Sequence, residues 1–192
     1  MLAETYVDSV FQLLKRFGVR RYCLIGSMYD MVPHTRPLMV TGTGSNIRLQ
    51  NELEVAKVIS SDYEGPTTIT YLISQMALQA GMETLTLIVH LPQYLVMEND
   101  YRGKKRLMEV LSVLYDFPLA DEDADKAKEQ EDQVSQIAEK FIQQEPNYRI
   151  ILSQVETYYD SRVGQSEKET KLSPEVERFL RDLGKRFGQG QT

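Results

Sequence analysis

Five apolar residues at helical spacing, Tyr6, Val7, Val10, Phe11 and Leu14, stop at Gly18, and the short apolar run Tyr22-Cys23-Leu24-Ile25 follows at once. Apolar residues at i, i+3, i+4 and i+7 bury one face of a helix, whereas a short apolar run bounded by turn residues reads as a buried strand. The first step of the chain is therefore helix to strand, with the strand expected over Arg21 to Gly26. The step recurs. Asn46 to Lys57 reads as a short helix; a stronger one opens at Gly65-Pro66-Thr67, runs through Tyr71, Leu72, Met76 and Ala80 and closes at Gly81. Thr84 to Val89 then forms the best-patterned strand, ending at His90, and Pro37 to Thr41 reads as a further extended run, with Gly42 and Gly44 marking a turn after it. Helices alternating with short buried strands specify an α/β sheet layered between helices.

Beyond His90 helices dominate. Leu107, Val110, Leu111 and Leu114 share one face of a helix over Asn99 to Tyr115. Asp121 to Asp132 is charged before Val134, Ile137, Phe141 and Ile142 resume a stripe. Pro146 fits the first turn of a helix bearing Ile150, Ile151, Val155 and Tyr158, and Ser173-Pro174 starts a last one through Val176, Phe179, Leu180 and Leu183. Ser161 to Lys171 between them reads as a polar loop. The expected organisation is an α/β core over residues 1–120 and a helical extension over 121–192 packing on the same domain.

Composition narrows the function classes. With 192 residues, 42% of them hydrophobic, the chain can bury a sizeable core. Its net charge of −6 leaves no basic field to displace counterions from a phosphate backbone, so nucleic acid is not an expected partner. The single cysteine, Cys23, reads as an inert buried thiol and can build neither a disulfide nor a zinc site within one chain. The start, MLAETYVDSV, lacks the pattern of a signal peptide, and no 18 apolar residues run uninterrupted; a soluble cytoplasmic protein without a membrane partner is expected. The acidic run DEDADKAKEQED lacks EF-hand spacing and reads as a solvated helix face, and Glu98-Asn99-Asp100 reads as a helix cap before a magnesium site. No cofactor or metal is expected.

The densest chemistry lies in SMYDMVPHTRPLMVTGTGSN, residues 27–46. Ligands of open α/β sheets bind beyond the carboxyl ends of strands, where Ser27 to Arg36 falls if the strand ends at Gly26; His90 and Gln93 follow another strand, so His34 and His90 could converge on one crevice. A neutral histidine moves protons near pH 7, and an arginine clamps a carboxylate or phosphate with two parallel hydrogen bonds. Against that reading, prolines on both sides of His34-Thr35-Arg36 fix backbone shape first, and the two side chains can satisfy carbonyls and pair with Asp30 without any substrate. The structural reading is favoured. Gly65-Pro66-Thr67-Thr68 could hold an anion on a helix N-terminus, but a plain helix cap is favoured, and neither a Walker loop nor a dinucleotide turn is present. The candidate ligand-binding residues are His34, Arg36, Thr41, Asn46, Gly65, Thr67 and His90, with no catalytic residue assigned.

Four segments in order, VPHTRPLMVTGTGSN (32–46), YEGPTTITYLI (63–73), VHLPQYL (89–95) and PEVERFLRDLGKRF (174–187), resemble the proteasome assembly chaperone family of the second type. The resemblance implies a three-layer α/β/α domain with a mixed sheet, similar to the nucleoside phosphorylase and hydrolase fold, a C-terminal helical extension, and homo-oligomers, often trimers. Members usually begin with a further strand and helix, which this sequence lacks; the expectation is a truncated product or a sheet edge covered by another subunit. Chaperones that dock the proteasome ring typically end in a hydrophobic residue, tyrosine and any residue, whereas this sequence ends GQGQT, so the same contact is not expected. The leading reading is an oligomeric protein-binding or assembly-chaperone-like module without catalysis, meeting itself or another protein through its C-terminal helices. The alternative is an enzyme using His34, Arg36 and His90, either an ATP-dependent carboxylate-amine ligase or a nucleoside hydrolase or phosphorylase; the lysine and the carboxylate-asparagine set of the ligase cannot be assembled here.

Overall fold

A computed structural model describes residues 2–61, 68–144, 146–164, 176, 178–182 and 184. In chain order the elements are α1 (Leu2–Arg16), β1 (Arg21–Asp30), β2 (Val40–Gly44), α2 (Ile47–Val55), β3 (Ile59–Ser60), α3 (Ile69–Gln79), β4 (Glu83–Pro92), α4 (Tyr101–Tyr115), α5 (Asp121–Gln144) and α6 (Pro146–Val163). Residues 178–182 are again helical, within the expected last helix, whose start at Ser173-Pro174 and whose Leu183 lie outside the described residues.

The four strands form one sheet in the order β1-β4-β2-β3. The amides of Glu83 and Gln93 donate to the carbonyls of Arg20 and Asp30, so β1 and β4 run parallel. The amides of Ser45 and His90 donate to Thr84 and Met39, so β4 and β2 run antiparallel. β2 and β3 are parallel, with Thr41 opposite Ile59. The sheet is mixed and the fold is α/β, as expected.

Two strands outrun their sequence reading. β1 continues four residues past Gly26 to Asp30, and β4 continues through His90 to Pro92, because each finds a hydrogen-bonding partner in the other out to Gln93. Ser27 to Asp30 are thus strand and not strand-end loop, and His90 sits inside a strand, not after it. Gly42 and Gly44 do not mark a turn either; both lie in β2. A Cβ on Gly42 would stand 2.3 Å from the Thr86 carbonyl oxygen, and one on Gly44 would stand 2.5 Å from Leu49 Cβ. These glycines serve close approach of neighbouring backbone, which removes the need for a turn.

By packing, the chain divides into two compact units, Met1–Gly26 with Val40–Ile88, and Ser27–Met39 with Val89–Thr192. In the first, α1 packs on α3 around Phe11, Ala77 and Met82, with Leu14, Tyr22 and Met76 against them. The left-handed Gly18 and Gly81, at φ +59° and +81°, close the two helices as expected. In the second, α5 packs on α4 and α6, and Tyr94, Leu95, Val134, Tyr148, Val155, Val176 and Leu180 make the core. Asp121, where the sequence places the start of a helical extension, is the first residue of α5 and belongs to this unit. Ile150 departs from its expected place in the α6 stripe and is 61% exposed, while Ile151 packs on the core as expected. Cys23 is half-buried in β1. The side chains of Phe141 and Ile142, and the polar loop from residue 165 on, lie outside the described residues. No described helix is long and apolar enough to cross a membrane.

Candidate functional site

The segment from Asp30 to Met39 belongs wholly to the second unit, and its two prolines and the buried Val32, Leu38 and Met39 settle its path. Its polar groups are then taken up one by one. The backbone amide of His34 donates to the hydroxyl of buried Tyr94 at 2.8 Å, and the same hydroxyl lies 2.8 Å from His34 Nδ1. A phenol oxygen that accepts an amide proton aims its own single proton at the remaining partner, so Nδ1 is the acceptor and His34 carries its proton on Nε2. Burial pushes the imidazole pKa down, and the nearby Arg102 guanidinium pushes it further, to about 4, against a weaker upward pull from Glu156. His34 is neutral at pH 7. Burial likewise drives the Tyr94 hydroxyl far above its ordinary range, which keeps it a proton donor.

Arg36 makes two parallel hydrogen bonds to Asp160 on α6, Nε to Oδ1 and Nη2 to Oδ2, each 3.0 Å, and Nη1 reaches Glu156 Oε1 at 3.3 Å. The Thr35 hydroxyl donates to the same Glu156 oxygen. The Asp160 partner raises the guanidinium pKa, and Arg36 in turn lowers that of Asp160. The fork that could clamp a substrate carboxylate therefore already holds two carboxylates of α6. Sequence reasoning expected Asp30 as the partner of this loop; Asp30 is engaged elsewhere because, as the last residue of β1, it stands beside β4 and the end of α6.

There Asp30 Oδ2 accepts from His90 Nδ1 at 2.7 Å and from Arg162 Nη1 at 2.8 Å, while Oδ1 accepts the Met31 amide at 2.7 Å. Burial by itself would raise the Asp30 pKa, but the hydrogen bonds from His90, Arg162 and Met31 together hold it well below the usual carboxylate range. An ionised carboxylate only accepts, so the His90 proton sits on Nδ1. Each histidine has a partner of its own, Tyr94 for His34 and Asp30 for His90.

Three carbonyls of the segment take side-chain donors as well. Arg102 Nη2 donates to His34 O at 3.1 Å, Arg106 Nε to Leu38 O at 3.1 Å and the Tyr159 hydroxyl to Pro37 O at 2.6 Å. Asp100 caps α4 by accepting the Gly103 amide at 2.6 Å, and buried Gln130 of α5 bonds both the Arg102 amide and the Asn99 carbonyl. Sequence reasoning missed Tyr94, Arg102, Arg106, Glu156, Asp160 and Arg162. Glu156 and Asp160, one helical turn apart, carried a signal as a carboxylate pair matched to one arginine; Tyr94 carried none.

The other candidates belong to the first unit or fall outside the described residues. Thr41 is buried in β2, in the first unit, where Asn46 caps α2 through Leu49 N at 2.9 Å and donates to Glu83 Oε1 at 3.0 Å. Glu83 also receives Arg48 and Arg21, and hydrogen bonds from Arg48, Arg21 and Asn46 pull its pKa to about 2. Gly65 and Thr67 lie outside the described residues; Thr68 caps α3. A shallow cavity of about 540 Å³ at the starts of α4 and α5 is lined by Tyr101, Lys104, Asp123 and Lys126 among others, and its lysines already pair with Asp123 and Glu122. Among the described residues no cluster of histidine, cysteine and carboxylate could hold a metal ion.

Comparison with known proteins adds the lineage. The chain is similar in structure to a protein of unknown function from Mycobacterium tuberculosis, at 24% identity and a TM-score of 0.69, over 95% of this chain and 60% of that one. It is also similar to a protein of unknown function from Corynebacterium glutamicum, at 20% identity and a TM-score of 0.70, over 85% and 58%. A proteasome-assembly chaperone homologue of Mycobacterium tuberculosis matches at 20% identity and a TM-score of 0.62, over 71% and 57%. The chain thus spans about three fifths of the length of the structures it matches, and at such identities they speak for the fold alone. No curated protein matches it. The profile of the PAC2 family matches residues 1–138, well over half of the sequence, and this chain, with the motifs of the proteasome assembly chaperones on an α/β sheet, belongs to that family.

Proposed function

We propose that this chain is a protein-binding, assembly-chaperone-like module that works as a homo-oligomer and performs no catalysis at the loop between β1 and β2. The observation that carries the reading is how far that loop is held from within: Arg36 binds Asp160 and Glu156, and Tyr94 takes the amide and Nδ1 of His34. Arg36, the group best suited to clamp an anion, is thereby already occupied by carboxylates of its own chain. The similarity to a proteasome-assembly chaperone homologue supports a protein partner, and the subunits of a proteasome-like assembly are the partner class we assign.

Native mass spectrometry of the purified chain, with and without nucleotides, nucleosides and divalent metal, tests this. A discrete oligomer that retains no small molecule is expected. A stoichiometric ligand that is lost on His34→Ala or Arg36→Ala would overturn the reading and make the loop an active site.

A further inference from the structure

Helix α1 has two apolar faces and needs only one for its own unit. Val7 and Phe11 are buried and Leu14 packs beside them. A quarter-turn around the helix lie Tyr6, Val10, Leu13 and Phe17, of which Tyr6, Leu13 and Phe17 are 55%, 53% and 73% exposed. Phe17 follows the last residue of α1, but its amide still bonds Leu13 O at 3.1 Å, so it stays on the helical track. Four apolar residues separated by four, three and four positions form the d-a-d-a seam of a two-stranded helical contact. Three large side chains more than half exposed on one helix are a surface that water penalises and a partner relieves.

We propose that this seam is the surface on which two copies of the chain pair, α1 against α1 and antiparallel. The stripe is its own complement about a two-fold axis between Phe11 and Gln12: Tyr6 meets Phe17 of the other copy, and Val10 meets its Leu13. Charge selects this direction over a parallel one. The first turn of α1 carries Glu4 and the last carries Lys15 and Arg16. Antiparallel pairing sets acidic first turn against basic last turn and opposes the helix dipoles; parallel pairing sets like against like. A two-fold contact makes the assembly even-numbered, which separates it from a trimer. The inference rests on the self-association in the proposed function and names its surface.

Sedimentation equilibrium of the full chain at micromolar concentration tests it, with circular dichroism to confirm the fold of each variant. The wild type is expected to have an even-numbered mass, and Leu13→Glu, central and exposed, to halve it. Tyr6→Glu and Phe17→Lys are each expected to dissociate the pair alone and to restore it when mixed in equal amounts, since the mixture sets glutamate opposite lysine only in this register. Val10→Lys with Leu13→Glu repeats the test one layer inward. A wild-type monomer would sink both this inference and the self-association beneath it. An oligomer indifferent to Leu13→Glu and Phe17→Lys, or a mixture that stays dissociated, would sink the α1 seam alone.

Discussion

Tyr94 and His34 show how one hydroxyl can decide the state of a histidine. The Tyr94 oxygen accepts the His34 amide and offers its proton to Nδ1, and protonating that nitrogen would set two donors against each other in a partly buried place. The folded pKa of about 4 lies below the ordinary 6.5, so as pH falls the unfolded chain takes up a proton before the folded one does. The stability this group contributes is whole above about pH 6.5 and is lost between there and about 4, on the order of 2–3 kcal/mol once the partial exposure of the ring is discounted. Asp30 works in a lower window: its depressed pKa contributes stability above the ordinary carboxylate value of 3.8, which is lost only as pH falls below that. Urea unfolding at about pH 7.5 and about pH 5 is therefore expected to show a clear drop for the wild type and a much smaller one for His34→Gln. An equal drop in both would mean that another group sets the slope.

At the scale of elements, β2 is a strand because its glycines let it be one. Gly42 lies where any Cβ meets the Thr86 carbonyl at 2.3 Å and the Val58 side chain at 3.0 Å, and backbone cannot step aside as a side chain does. Gly42→Ala is expected to cost about 3 kcal/mol or more, read as a lowered urea midpoint, and a loss under about 1 kcal/mol would refute the packing argument. The helices were more legible than the strands. α1, α2, α3 and α4 follow from apolar periodicity and α4 also from its cap at Asp100, all of them local signals, although α3 starts at Ile69 behind Thr68 and not at the Gly65-Pro66-Thr67 opening read from the sequence. The far ends of β1 and β4 were not legible, because what extends each is the other strand, some sixty residues away in the sequence.

For the whole molecule, net charge and exposed apolar surface act in opposition. Each copy carries −6, so two copies repel at low salt while the α1 seam draws them together. Raising salt to about 0.5 M shortens the range of that repulsion to a few ångströms and leaves the apolar contact intact. Self-association is thus expected to tighten with salt in a dilution series. A dissociation constant that weakens with salt would point to a contact made of ion pairs. The first unit offers a partner the α1 seam.

The sequence alone determined the α/β alternation, the order and periodicity of the helices and the family, since each rests on residues a few positions apart or on short ordered motifs. It also brought out His34, Arg36 and His90 as the densest chemistry of the chain. Only tertiary structure decided which partners those side chains meet. The partners of Arg36 lie on α6, 120 and 124 residues away, and the hydroxyl that holds His34 is 60 residues away; no local rule reaches so far. Polar side chains drawn out of water need partners, and here folding supplies each from its own chain, a carboxylate for Arg36 and His90 and a phenol for His34.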